Sequence, residues 1–509
     1  MTRTDAKSAW AEYQKGVSYK ARLGLYDTVR QCEDFYLGDQ WKGVNAPDLP
    51  KPTLNMLRRV VAYFIAMIVS DDVAVRFSPY VPNGALDETC ALLSLELERV
   101  LESAKAAAKH REALRNAAVD GDACFFLWFD PSAETGQSAR GDIAIEVLEN
   151  TCVHFGNPYS KDVQSQPYML LSMRRQADAV KEEARQNGVP PSDLERISPC
   201  AESELCEPMD GDGLVTVLLR LWKEGGSVWA QKSVKHTAIR EKWDTGLRLY
   251  PVAWMCWEQS RNSCHGVGAI KGLIPNQIAV NKLFAMAIRS VEMNAFPKII
   301  YDATKIERWS NRVGEAIAVM GNPESTIAGG IRGSDMSPQV MEMIERTTSL
   351  TRDFMGASDA ALGNVNPTNT SATIAVQKAS AAPLDLQRLA FYRFVEDYVL
   401  IIADMMRACY GRRKVTVPVA EGGTASKEFD FSALDNLPLK IAVDVGESAY
   451  WSELMQVQTM DSLFAKGIIT DAEEYLRGIP NRYIKDKTRL LSALREKREA
   501  AELAKGDAT

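Results

Sequence analysis

The chain has 509 residues, 46% hydrophobic and 25% charged, an ordinary globular composition and too long for one hydrophobic core, so two or more domains are expected. With 60 Lys and Arg against 67 Asp and Glu, the net charge of −7 excludes the overall basic footprint of a general nucleic-acid binder. The nine Cys form no C-x-x-C and there are only four His, which points to reduced thiols and leaves little material for a histidine metal site.

Residues 1–14 mix charges around Trp10 and lack a basic patch followed by an apolar run, so no signal peptide is expected. A helix is predicted over 5–37, ending at Gly38 as a C-cap, followed by a connector with Pro47, Pro50 and Pro52. Residues 54–70 read as a buried helix with Asn55, Arg58 and Arg59 at its start. The longest apolar stretch, 60–69, is about half of the ~20 residues a bilayer span requires, so no membrane partner is expected. A short strand is predicted over 73–80, then one long helix over 86–118 broken by Asp120-Gly121-Asp122.

Strand patterns follow at 123–129, 143–148 and 153–155, a helix at 177–186, and an acidic, Pro-containing insertion at 187–213. Residues 214–222, 227–231 and 239–243 read as an antiparallel set. From 275 to 296 the period is helical, with Ile278, Leu283, Phe284, Ile288 and Val291 on one side and a stop at Pro297; such a helix is roughly 33 Å long. A small segment follows, strand-like over 298–301, with a turn at Gly329-Gly330. A second helix opens at Ser337-Pro338, a cap residue followed by Pro at the first helical position. Two helices of matched length bracketing a small excursion predict an antiparallel hairpin. Beyond it come an uncharged loop over 363–370, a long helix over 371–410 kinked at Pro383, strands at 415–419 and 439–445 around a flexible Gly/Ser loop, and a helical array over 452–505.

Sites for chemistry are scarce. Gly266-Val267-Gly268-Ala269-Ile270-Lys271-Gly272 has one residue too many for a dinucleotide fingerprint and no G-K-[ST], so a tight turn with close helix packing is the expected use of its glycines. Cys264-His265 are adjacent rather than usefully spaced, and Asp210-Gly211-Asp212-Gly213 lacks the twelfth calcium ligand. Asp120 and Asp122 read as a helix-ending turn, and Trp254 and Trp257 as core. No catalytic residue, cofactor or metal is expected. The basic C-terminal stretch, with Arg495, Lys497 and Arg498 among Glu496, Glu499 and Glu502, suits a solvated face or a nucleic-acid contact.

Three local patterns stand in a fixed order: Phe35-Tyr36-Leu37-Gly38-Asp39-Gln40-Trp41 followed by Pro52-Thr53-Leu54-Asn55; Gly266-Val267-Gly268 leading to Ile274-Pro275-Asn276-Gln277 and Asn281; and Asn369-Thr370-Ser371-Ala372-Thr373 before a long helix. Over residues 13–494 this order resembles the portal proteins of tailed bacteriophages, ring subunits at the unique capsid vertex. The resemblance implies a mainly helical α+β fold divided into a wing (1–274), stem helix 1 (275–296), clip (297–336), stem helix 2 (337–357), tunnel loop (358–370), long wing helix with return strands (371–451) and helical crown (452–509). It implies a homo-oligomeric ring, usually of twelve subunits, through which double-stranded DNA is packaged and ejected. Terminase and a head-tail adaptor would dock on it in turn, beside the major capsid protein, in a virion assembled in the bacterial cytoplasm.

On that resemblance Asn364, Asn366, Thr368, Asn369 and Thr370 line the channel, Arg495, Lys497 and Arg498 are crown contacts to DNA, and Leu283, Phe284, Ile288 and Val291 pack the stem. A neutral loop and mixed stem charges suit a conduit, because strong phosphate contacts from every subunit would brake a sliding polyanion. Two other classes stay open: a different phage head-tail structural protein, and a DNA-processing enzyme with a metal cluster drawn from Asp120, Asp122 and Asp444.

Overall fold

The computed structural model describes residues 3–69, 73–79, 84–137, 139–199, 213–295, 298–310, 318–322, 328–331, 338–354, 382–418, 424–436 and 439–445, with a few positions between 457 and 490. It is a mixed α+β fold of helices and antiparallel sheets. The described helices are α1 (Arg3–Arg22), α2 (Leu25–Leu37), α3 (Met56–Ile68), α4 (Gly84–Ser103), α5 (Ala106–Asp120), α6 (Ala177–Gln186), α7 (Pro191–Leu194), α8 (Ala269–Ala295), α9 (Pro338–Phe354) and α10 (Asp385–Cys409). The strands are β1 (Val73–Pro79), β2 (Asp122–Asp130), β3 (Asp142–Leu148), β4 (Val153–Phe155), β5 (Tyr168–Gln176), β6 (Leu214–Glu224), β7 (Ser227–Ser233) and β8 (Ala238–Asp244). They continue with β9 (Val252–Cys256), β10 (Glu258–Gln259), β11 (Gly266–Val267), β12 (Lys298–Tyr301), β13 (Ala328–Ile331), β14 (Arg412–Pro418), β15 (Thr424–Asp430) and β16 (Leu439–Val445). Among the described residues no helix is long and apolar enough to cross a membrane. The chain divides into two units, residues 1–68, 112–126 and 146–394, and residues 69–111, 127–145 and 395–509.

The first unit is built on the five-stranded antiparallel sheet β4-β5-β6-β7-β8. Its alternation explains why β6 reads as a continuous apolar run. Val215 and Val217 project to one face, where they pack with Ala177, Val180 and Ala184 of α6 and with Ile197 and Ile239. Leu218 projects to the other face, joining Leu170 of β5 under Trp10 and Tyr13 of α1. With both faces covered, period-2 polarity disappears. Strand β5, which pairs with β6 along its whole length, escapes the sequence reading for that reason. The predicted helix over 5–37 is two helices, because Gly24 adopts a left-handed φ of 65° between α1 and α2. The expected C-cap at Gly38 is present, with φ 107° and its amide on the carbonyl of Asp34.

The second unit pairs β1 with β16 and β14 with β15, each antiparallel. Strand β15 occupies part of the stretch read as a flexible Gly/Ser loop. The long helix predicted over 86–118 is interrupted at Lys105, a non-glycine residue at φ 53° between α4 and α5. Leu93, Leu97 and Val100 of α4, Tyr398, Ile402 and Met406 of α10, and Phe431 are fully enclosed. A half-buried ion pair sits in this unit: Arg99 grips both oxygens of Asp142 at 3.0 and 2.9 Å, and the Tyr410 hydroxyl donates to Asp142 at 2.6 Å. Those donors outweigh desolvation and hold the Asp142 carboxyl below its ordinary range.

Candidate functional site: the helical hairpin and its buried joint

Helix α8 runs for 27 residues, about 40 Å, and starts six residues before the predicted position, so Pro275 lies inside it. An interior Pro costs roughly 3 kcal/mol through its lost N–H bond and ring clash. The turn ahead of it buries Ile270, Leu273 and Ile274, each worth roughly 1.5–3 kcal/mol, and burial wins. Helix α9 begins at Pro338, as expected for a first-turn Pro. The pair is antiparallel: Asn276 Nδ2 donates to Thr351 Oγ1 at 3.2 Å near one end, and further along α8 Val280, Leu283 and Phe284 meet Ile344 and Val340. Beyond the hairpin, β12 pairs antiparallel with β13, with Ile299 opposite Gly330 and Ile300 opposite Gly329. Gly329-Gly330 therefore forms a strand rather than the expected turn.

Of the stem residues singled out from sequence, Leu283 and Phe284 are half-buried against Met56, Val280 and Ile344 of the same chain, and Ile288 is half-buried. Val291 is 59% exposed, as are Met286, Met293, Met341, Met343 and Leu350 to similar degrees. Between them lie charged pairs, Arg289 with Glu292 at 3.6 Å and Arg346 with Glu342 at 2.8 Å, both on exposed side chains.

At the base of α8 two of the three sequence patterns, residues 35–41 with 52–55 and residues 274–281, converge on one chain of buried amides. Gln277 accepts the Met56 N–H at 3.0 Å, donates to the Leu54 carbonyl at 2.7 Å and donates to Asn281 Oδ1 at 2.9 Å. Asn281 Nδ2 in turn donates to Gln40 Oε1 at 2.5 Å, and Gln40 Nε2 to the Phe35 carbonyl at 3.0 Å. Gln40, Gln277 and Asn281 are all buried. Around them Asn55 Nδ2 donates to the Tyr36 carbonyl at 2.9 Å, its Oδ1 accepts from the Arg58 amide as the cap of α3, and Trp41 Nε1 donates to the Pro52 carbonyl at 2.8 Å. This joint ties α2, α3 and α8 together. A fully satisfied buried polar network specifies one arrangement, since any other leaves amides unpaired at a cost of about 1–3 kcal/mol each.

A second polar node lies ahead of α8. Asp122 accepts the Gly266 amide at 2.7 Å, the His265 Nδ1–H at 2.8 Å and the Asn150 amide at 3.2 Å. Lys20, fully buried, donates to the carbonyls of Asn150 and Thr151 at 2.9 and 2.6 Å. Gly266 and Gly268 serve the packing role expected of them: a Cβ on Gly268 would stand 2.6 Å from the Val119 carbonyl, and one on Gly266 2.8 Å from that of Gly121. The amide that opens this loop is held by Asp122 rather than offered to a phosphate. Asp120 ends α5 with its carboxyl buried, which together with the charges of Glu33, Glu149 and Asp122 pushes its pKa up to about 7 against the opposing pull of Arg115. Trp257 is buried and Trp254 donates to the Cys264 carbonyl at 3.0 Å, in keeping with a core role.

Among the described residues no group of three or more His, Cys, Asp or Glu is placed to hold a metal ion. Asp444 lies in β16 of the second unit, opposite Ala74, whereas Asp120 and Asp122 belong to the first. Asn364, Asn366, Thr368, Asn369 and Thr370, expected to line a channel, and Arg495, Lys497 and Arg498, expected as crown contacts, lie outside the described residues. Gln40, Gln277 and Asn281 stand within the sequence motifs, but their joint role is not legible there, because Gln40 and Asn281 meet across 241 positions of chain and nothing local signals it. No protein-family model matches this sequence, and no curated protein matches it.

Proposed function

We propose that this chain is the subunit of a tailed-phage portal, a ring of about twelve copies that passes double-stranded DNA into and out of the capsid and docks terminase and a head-tail adaptor. The observation that carries the reading is the α8/α9 hairpin. At its base the hairpin is packed and hydrogen-bonded into the first unit, but along its length Met286, Val291, Met293, Met341, Met343 and Leu350 stand in solvent. Two helices cannot enclose side chains on their outer faces, and this many exposed large apolar side chains on one hairpin are what neighbours in an assembly would cover. The interspersed Arg289, Glu292, Glu342 and Arg346 supply both signs of charge, which allows registered side-by-side packing and keeps net attraction for a phosphate backbone low.

The motif order adds support, because the joint gives one physical reason for Phe35–Trp41, Pro52–Asn55 and Gln277–Asn281 to occur together: they build the seat of the stem. In this reading the β12/β13 ribbon belongs to the clip and the protein acts as a conduit rather than an enzyme. Electron micrographs of the purified full chain test it. Rings with a central hole are expected; monodisperse monomers or dimers at micromolar concentration would contradict it.

A further inference from the structure

A cavity of about 410 Å³ opens in the first unit where the end of α1, the end of α5, the 260–263 loop and the first turn of α8 meet. Its floor is His265, whose side chain is 4% exposed, with Nδ1 on Asp122. Asp122 also takes the Gly266 amide, so it acts as an acceptor and the imidazole donates to it from Nδ1. That leaves Nε2, for which no described residue supplies a hydrogen-bond partner; in the neutral ring it is a lone-pair acceptor. Tyr19 stacks on the imidazole with ring centres 6.5 Å apart and 24° between planes. Tyr159 packs edge-on against Tyr19 at 5.9 Å, yet is itself 62% exposed at the mouth. Arg22, Arg261 and Lys271, all solvent-facing, stand around the same opening, and Asp120 is the one carboxylate in its lining. On a chain of net charge −7 this is a local excess of positive charge beside an exposed aromatic ring.

The geometry points to a nucleotide-binding site in this cavity, with Tyr159 stacking a base, His265 Nε2 accepting a sugar hydroxyl, and Arg22, Arg261 and Lys271 facing the phosphates. Each feature matches one part of that ligand. A π-face takes any base, an oriented imidazole acceptor takes a hydroxyl, and flexible cations at the mouth take an anion without a dedicated loop cradle. The volume is in the range of small-ligand pockets. The same chemistry is carried by a free nucleotide and by the phosphorylated end of a DNA strand.

Isothermal titration of the full chain with ADP, inorganic phosphate and a 5′-phosphorylated oligothymidylate tests the assignment. ADP is expected to saturate with a dissociation constant below about 1 mM, weakening as salt rises. Tyr159→Ala and Lys271→Glu alter exposed side chains, so both variants keep the fold, which circular dichroism checks, and each is expected to weaken ADP about tenfold or more. Stronger binding of the oligonucleotide than of ADP would support the site with a strand end as its ligand; the reverse order would support it with a free nucleotide. Absence of saturable binding by both, inorganic phosphate matching ADP, or undiminished affinity in the two variants would overturn the assignment. Ring assembly is not read in this experiment, so its failure leaves the portal proposal standing.

Discussion

Replacing Gln277 by Leu isolates the energetic role of the joint at the base of the α8/α9 hairpin. Leu has nearly the volume of Gln, so the change removes hydrogen bonds without opening a large cavity. Three bonds are lost, from the Met56 amide and to the Leu54 carbonyl and Asn281 Oδ1. Leu54 is exposed and its carbonyl can turn to water, whereas Met56 and Asn281 are buried. The Met56 amide also donates to the Leu54 carbonyl at 2.9 Å, so Asn281 Oδ1 is the buried group left unpaired, and the local cost is about 1–3 kcal/mol. Hydrogen exchange followed by mass spectrometry on the peptide spanning 54–58 reads this directly: opening of the joint should become about tenfold more frequent or greater. Asn276→Ala, one position away, removes a single bond to Thr351 on the surface of the helix pair and should change exchange in the same peptide less than about fivefold. Equal protection in wild type and Gln277→Leu would refute the idea that this network locks α8 to α3.

Other outcomes follow from the same structure. Asp120 has a folded-state pKa raised to about 7 above an unfolded value near 4, so the fold is favoured by the protonated form and that contribution is lost as pH rises through 7. Asp120→Asn should therefore stabilise the chain by roughly 1–3 kcal/mol at pH 8 and leave it unchanged at pH 4, as read by denaturant midpoints; a stabilisation independent of pH would contradict the assignment. Val291→Glu and Met343→Glu replace side chains 59% and 58% exposed, so each should leave the thermal midpoint of the unassembled chain within a degree or two while preventing assembly. Unaltered oligomers in both variants would show that these faces are free. Deleting residues 364–370 should leave the ring intact and impair DNA packaging or retention, and loss of the ring itself would argue against a channel-facing loop.

The secondary structure is legible in the sequence wherever one face of an element is solvated or a breaker residue stands at its end. Helix α6, the strands β1 and β3, the Pro338 start of α9 and the Gly38 cap all follow from pattern. What escapes has a physical cause in each case. Strand β5 is covered on both faces and loses its alternation. The break between α4 and α5 falls on Lys105, an exposed residue at φ 53° in a tight turn, where a lysine gives the sequence no turn signal. Helix α8 runs through Pro275 because burial of Ile270, Leu273 and Ile274 outweighs the lost bond. The hairpin is legible as two helical periods, but not the matched lengths expected, since α8 has 27 residues and α9 has 17. The amide joint and the His265 cavity are not, since each is assembled from residues brought together by the fold across long stretches of chain.

The claim on which the rest depends is that this chain closes into a ring. The mass of the assembled particle, measured by light scattering on the purified full-length protein, tests it most directly. Twelve copies of a 56.4 kDa chain give about 680 kDa, and a single species near that value, insensitive to further rise in concentration, is the predicted result. A mass of one or two chains, or an open-ended distribution growing with concentration, would contradict it.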